Sequence, residues 1–193
     1  MEKGNAQSLA LSGVSRSVGS TEAANATGVY TATCYDAQGN VKWTDTYSNL
    51  VTTVGKNFLL DTALSGAAYT AAWYLGLISL TSYTTGPAVG DTHASHGGWV
   101  EDVGYSNATR VAPSFGTASA GSKATTATAF SINATTTIKG TFLASQSAKS
   151  SVAASTGSGS ATTNVLYSAG LFTGGDKAVA SGDTLNVTYT ASV

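Results

Sequence analysis

From Leu185 to Val193, apolar and polar side chains alternate without a break: Leu185, Val187, Tyr189, Ala191 and Val193 are separated by Asn186, Thr188, Thr190 and Ser192. A period of two sends the first set to one face of an extended strand and the second to the other. The segment therefore predicts a half-buried strand with small polar groups outward. Val29 to Tyr35 and Val41 to Tyr47 predict a hairpin around Asp36-Ala37-Gln38-Gly39-Asn40, where Gly39 and Asn40 tolerate the positive φ of a short loop. Trp43 and Tyr47 then share one face of its second strand. Further strands are predicted at 72–80, 110–115, 124–132, 136–143 and 165–172. In the first of these, Trp73, Leu75 and Leu77 oppose Tyr74, Ile78 and Leu80, so it should be buried on both faces and central.

One segment breaks the period. Thr53 to Leu64 sets Val54, Phe58, Leu60 or Asp61, and Leu64 at helical spacing. Thr52 or Thr53 is available as N-cap and Gly66 as C-cap, which predicts a short helix over an open end of the sheets. The stretches 81–98 and 145–163 fit neither period. Loops of that length are uncommon inside compact domains and tend to be binding surfaces or insertions. The architecture expected is an all-β, antiparallel sandwich over residues 27–193, preceded by an arm over residues 1–26. A chain of 193 residues is long enough for one such domain.

The arm has a different composition. It contains no aromatic residue, and its large aliphatic side chains are Leu9, Leu11 and Val14, with Val18 a weaker fourth. Such a segment buries too little apolar surface to offset the entropy of ordering, so it is expected to become ordered against another chain. Extended, it reaches on the order of 85 to 95 Å, enough to cross a neighbouring subunit. Leu9, Leu11, Val14 and Val18 are its candidate partner-binding residues.

Only 10% of the chain is charged, against about a quarter in an ordinary soluble domain, and Thr, Ser, Ala and Gly stand in place of the missing charge. Such a surface suits contact with protein more than with water. The net charge of −1 and scattered Lys and Arg provide no basic stripe for nucleic acid. No apolar run is long enough for a spanning helix, and the first residues lack the pattern of a secretion signal, so assembly in a cytoplasm is expected. Cys34 is the only cysteine; it excludes an intrachain disulfide and reads as a small buried hydrophobe. Asn25, Asn107, Asn133 and Asn186 open Asn-x-Thr triplets, which the abundance of Thr explains.

Candidate chemistry is sparse. Asp91-Thr92-His93-Ala94-Ser95-His96 holds both histidines, with Glu101 and Asp102 close behind. Two imidazoles at i, i+3 meet only on a helix, and Gly97-Gly98 with no apolar stripe argues against one. A loop whose His and Asp side chains cap backbone groups, anchored by Trp99, is the stronger reading. No carboxylate pair stands out as acid and base. No nucleophile elbow, phosphate loop or dinucleotide fingerprint is present, so neither an enzyme nor a cofactor is expected. Among the aromatics clustered between residues 73 and 105, Trp73 and Tyr74 belong to the core. Tyr83 and Tyr105, flanked by Thr, Ser, Gly and Asn, are the surface candidates for binding.

Four segments carry a resemblance: NLVTTVGKN at 49–57, AYTAAWYLGLI at 68–78, SHGGWVE at 95–101 and YSAGLFTGGDK at 167–177. Together they resemble a group of small virion-associated proteins of tailed bacteriophages, over about residues 27 to 193 and not over the arm. The resemblance implies a jelly-roll-like β-sandwich bound in many copies to a capsid lattice, and it brings no catalytic residues. The expected role is a head decoration or cement protein on the capsid surface of the virion, contacting the major capsid protein and other copies of itself. The alternative is a head-fibre or tail-associated adhesion module, with the loops 81–98 and 145–163 binding a host glycan or protein.

Overall fold

The computed structural model describes residues 25–64, 73–150 and 164–193. Two antiparallel sheets stack face to face. The first contains β1 (Thr27–Tyr35), β2 (Val41–Ser48) and β11 (Thr184–Ser192) in the order β2-β1-β11. Beyond β11 lie two short strands in succession, β6 (Ser122–Ala124) and β7 (Thr128–Ser131). The second sheet runs β3 (Leu50–Val51), β9 (Leu166–Leu171), β8 (Thr136–Ala144), β4 (Tyr74–Ser79) and β5 (Glu101–Asp102). A short β10 (Lys177–Val179) pairs with the start of β8. The protein is an all-β sandwich, as its alternation predicts.

The predicted hairpin is present. Asp36 closes it by accepting hydrogen bonds from the backbone N–H groups of Gln38 and Asn40 at 2.9 and 2.8 Å, while Gly39 alone takes the positive φ, at 86°. Trp43 and Tyr47 do share a face, and both meet Phe172 edge-on at ring separations of 5.4 and 5.0 Å. Between the sheets, buried tyrosines act as cross-ties. Tyr30 of the first sheet lies 2.7 Å from the Ser168 hydroxyl of the second, and Tyr47 lies 2.9 Å from that of Thr141. A phenol suits this position because its ring fills the core while its hydroxyl finds a partner across it.

The helix α1 (Thr53–Leu64) also forms where predicted. Thr52 is its N-cap, its hydroxyl accepting from the Gly55 N–H at 3.1 Å. A side chain at Gly55 would bring a Cβ within 2.5 Å of the Tyr167 carbonyl oxygen, so glycine lets the first turn sit directly on β9. Only Gly55 and Phe58 are buried on this helix; Leu60 and Leu64, predicted to pack inward, are exposed. Gly66, the predicted C-cap, lies outside the described residues.

Three predicted strands come out differently. Residues 110–115 make only two isolated bridges, Leu75 to Val111 and Phe115 to Thr125. Pro113 has no N–H to donate there. The predicted strand 124–132 is split into β6 and β7, because the Thr125 hydroxyl accepts the Tyr189 N–H that a regular ladder would have used. Leu80 lies beyond the end of β4 and is exposed.

Leu75 and Leu77 belong to the main core, whereas Ile78 points the other way into a second cluster with Trp99, Phe142, Ala144, Leu166 and Ala169. The prediction that 72–80 is buried on both faces therefore holds for β4. The cover on the outer side is irregular chain: Trp99 is 1% exposed and packs against Phe142 at 5.5 Å. The two sheets thus differ. The second is covered on its outer face, whereas the strand pattern of the first alternates between buried and open.

Candidate functional site

The irregular chain between β4 and β6 gathers most of the reactive side chains. Asp91 accepts from the Ala88 N–H at 3.0 Å and from the Trp99 indole N–H at 2.9 Å. His96 stacks on Trp99 at 4.0 Å and donates from Nδ1 to its carbonyl oxygen at 3.1 Å. The expectation of a capping loop anchored by Trp99 is met. No helix forms here, and the imidazoles turn to different partners.

His93 faces Arg110. The guanidinium Nη1 donates to His93 Nε2 at 2.9 Å, which leaves the proton of the neutral ring on Nδ1. That Nδ1 is buried with no hydrogen-bond partner. Burial first, then the Arg110 and His96 charges, lower the imidazole pKa to about 4. Arg110 itself is 3% exposed and holds Glu101 through Nε to Oε1 at 3.0 Å and Nη2 to Oε2 at 2.9 Å. Glu101 also accepts from Tyr105 at 3.2 Å and from the Ser150 N–H at 2.8 Å, and Arg110 reaches the Gln146 carbonyl at 2.7 Å. The sequence pattern does not reveal this cluster, because Arg110 falls in the predicted strand 110–115 and nothing in its surroundings marks an inward-pointing cation.

Its chemistry is that of a clamp. Both Glu101 oxygens are occupied by donors, and the lone pair on His93 Nε2 that would bind a metal is taken by a cation. Among the described residues no group of three or more His, Cys, Asp or Glu side chains is placed to hold a metal ion. The neighbouring Asp102 is occupied in the same way, accepting from Ser79, Thr136 and the Gly104 N–H at 3.3, 2.9 and 2.9 Å.

Two further carboxylates fasten turns. Asp45 accepts from Thr173 at 2.7 Å and from the Gly174 N–H at 2.9 Å, and pairs with Lys177 at 3.2 Å. Burial works to raise its pKa, but these contacts outweigh it and hold the carboxyl below its ordinary range. Asp183 pairs with Lys42 and accepts from the Ala180 N–H at 2.8 Å, closing the turn before β11. Cys34 is buried as predicted. Its thiol lies 3.6 Å from Asp183, and burial together with that charge raises its pKa to about 12.

The candidate binding residues separate into three groups. Leu9, Leu11, Val14 and Val18 lie outside the described residues. Tyr83 is half-buried against the second cluster, with the Lys139 ammonium 4.2 Å above its ring. Tyr105 is a correction: it is 0% exposed, meets Phe130 edge-on at 5.1 Å and gives its hydroxyl to Glu101. Its polar sequence neighbours conceal an inward ring. Burial and then the Glu101 charge raise the phenol pKa, so it stays a donor. The loop 81–98 is likewise fixed through buried His93 and His96, and of 145–163 only residues 145–150 are described.

The open surface is the outer face of the first sheet. Register places Ser48, Val29 and Thr190 in one row across β2, β1 and β11, then Thr46, Thr31 and Thr188, then Thr44, Thr33 and Asn186. Thr31 and Thr46 hydroxyls lie 3.0 Å apart, and Thr44 donates to Thr33 at 3.2 Å. All of these side chains are exposed or half-buried and none is charged. Among the described residues no helix is long and apolar enough to cross a membrane. No family model, curated protein or solved structure matches the chain.

Proposed function

We propose that this protein is a non-enzymatic structural component of a bacteriophage virion, a decoration or cement protein that binds the major capsid protein through the hydroxyl-bearing face of its first sheet. The observation that carries the reading is the uncharged array on β2, β1 and β11. A face without ions can be covered by another protein without the cost of stripping water from charges. Its hydroxyls can still donate and accept across the contact. Saturation of Glu101, Arg110 and Asp102 by internal partners supports the same reading, because these groups are committed to holding the fold. The sequence resemblance to virion-associated proteins supplies the choice of partner, and the leading arm adds contact across subunit boundaries. A protein that binds only the assembled shell stabilises it by mass action.

The test is to add the purified protein to tailed-phage heads assembled without it, then count bound copies and measure resistance to heat. Saturable binding over the whole shell with raised resistance is the expected result. Heads as fragile with it as without it would overturn the cementing role, and a few copies confined to a vertex or tail would favour the adhesion module. Replacing Thr31 or Thr46 by Lys should weaken head binding at least about tenfold, roughly 1.4 kcal/mol, while the fold is retained.

A further inference from the structure

Side chains of α1, β6 and β11 line an apolar trench beside the helix. One part, about 140 Å³, is walled by Phe115 and Tyr167. It continues past Leu59 to a second part of about 290 Å³ beside Leu60 and Val193, also lined by Asn25. Leu60 and Val193 are 56% and 74% exposed, which is unusual for aliphatic side chains grouped around one recess.

We infer that this trench receives the leading segment of a second copy of the chain, with Leu9 and Leu11 as the side chains that enter it. The inference rests on the reading of residues 1–26 as an arm that reaches another subunit, and it names the place where the arm lands. Thr27 pairs with Ser192, so the chain upstream of Thr27 heads the way β11 heads, from Tyr189 toward Val193. Asn25 and Ala26, the described residues upstream of Thr27, line the same recess as Val193. Residues 19–24 carry no large apolar side chain. Leu9 lies 16 residues before Asn25, a reach of about 53–58 Å in extended chain. A domain of this size is about 40 Å across, so this length of chain is enough to reach a second copy. Leu9-Ala10-Leu11 has the period of a strand with one apolar face, which suits an apolar floor entered lengthwise.

The test uses full-length protein with Cys34 replaced by Ala. Copies carrying Leu11→Cys are mixed with differently tagged copies carrying Leu60→Cys and oxidised. Disulfides between the two tags, at least about tenfold above a control with Leu80→Cys in place of Leu60→Cys, are the expected result. No excess over the control, or linkage found only in a further variant that carries Leu11→Cys and Leu60→Cys in one chain, overturns the inference. Leu60→Asp, at an exposed position, should weaken self-association in sedimentation about tenfold, and unchanged association would also overturn it. Head binding by the same variants separates the two proposals. Heads bound normally without cross-links would sink the trench alone, and cross-links without head binding would sink the capsid reading alone.

Discussion

Arg110 grips Glu101 with two parallel hydrogen bonds, at 3.0 and 2.9 Å, inside the protein, where the two side chains are 3% and 2% exposed. The pair joins β5 to the irregular chain after it. Removing one partner strands the other charge, whereas removing both leaves a hole that apolar groups can fill.

Arg110→Met should therefore destabilise the protein by about 3–5 kcal/mol, measured by urea unfolding. The double replacement of Arg110 by Met and Glu101 by Leu should recover most of that loss. A double variant as unstable as the single one would show that the pair is worth more than its apolar substitute.

Stability should fall as the pH drops from about 6.5 to about 4. His93 has a folded pKa of about 4, below the ordinary 6.5, so in this window the unfolded chain takes up a proton that the folded protein refuses. The slope is one-sided: the contribution is complete above the ordinary pKa, and the loss levels off below the folded one. The full effect approaches about 3 kcal/mol, and His96, lowered first by burial, adds in the same direction. Below about 4 the lowered carboxyls of Asp45 and Asp183 lose their contribution as they protonate. Unfolding midpoints across pH 4–7 should show the first slope, and His93→Gln should flatten it.

Cys34 should resist thiol reagents in the native protein at pH 8. It is 0% exposed, and with a pKa of about 12 almost none of it is thiolate. Labelling should appear only with unfolding, so its rate in increasing urea should follow the unfolded population. Rapid labelling without denaturant would contradict the burial.

Gly55→Ala should cost about 1–3 kcal/mol in thermal or urea unfolding, although alanine favours helix. The new Cβ would meet the Tyr167 carbonyl oxygen at 2.5 Å and push α1 off β9. Lys56→Ala on the exposed side of the same turn should change stability by no more than about 0.5 kcal/mol.

The sequence alone determined which residues share a face. Alternation at Leu185, Val187 and Tyr189, the hairpin around Gly39 and the helical spacing from Thr53 all appear where the pattern places them, because periods of 2 and 3.6 follow from local backbone geometry. The burial of Cys34 and the anchoring of a loop by Trp99 were legible in the same way. Only the tertiary structure decided that Tyr105 turns inward, that His93 meets Arg110 while Arg110 holds Glu101, and that the outer face of the second sheet is covered while that of the first stays open. These outcomes depend on contacts between segments far apart along irregular chain, where no period links a residue's position to its direction. Leu60 makes the same point from the other side: helical spacing offers it for burial, but the packing of α1 leaves it exposed.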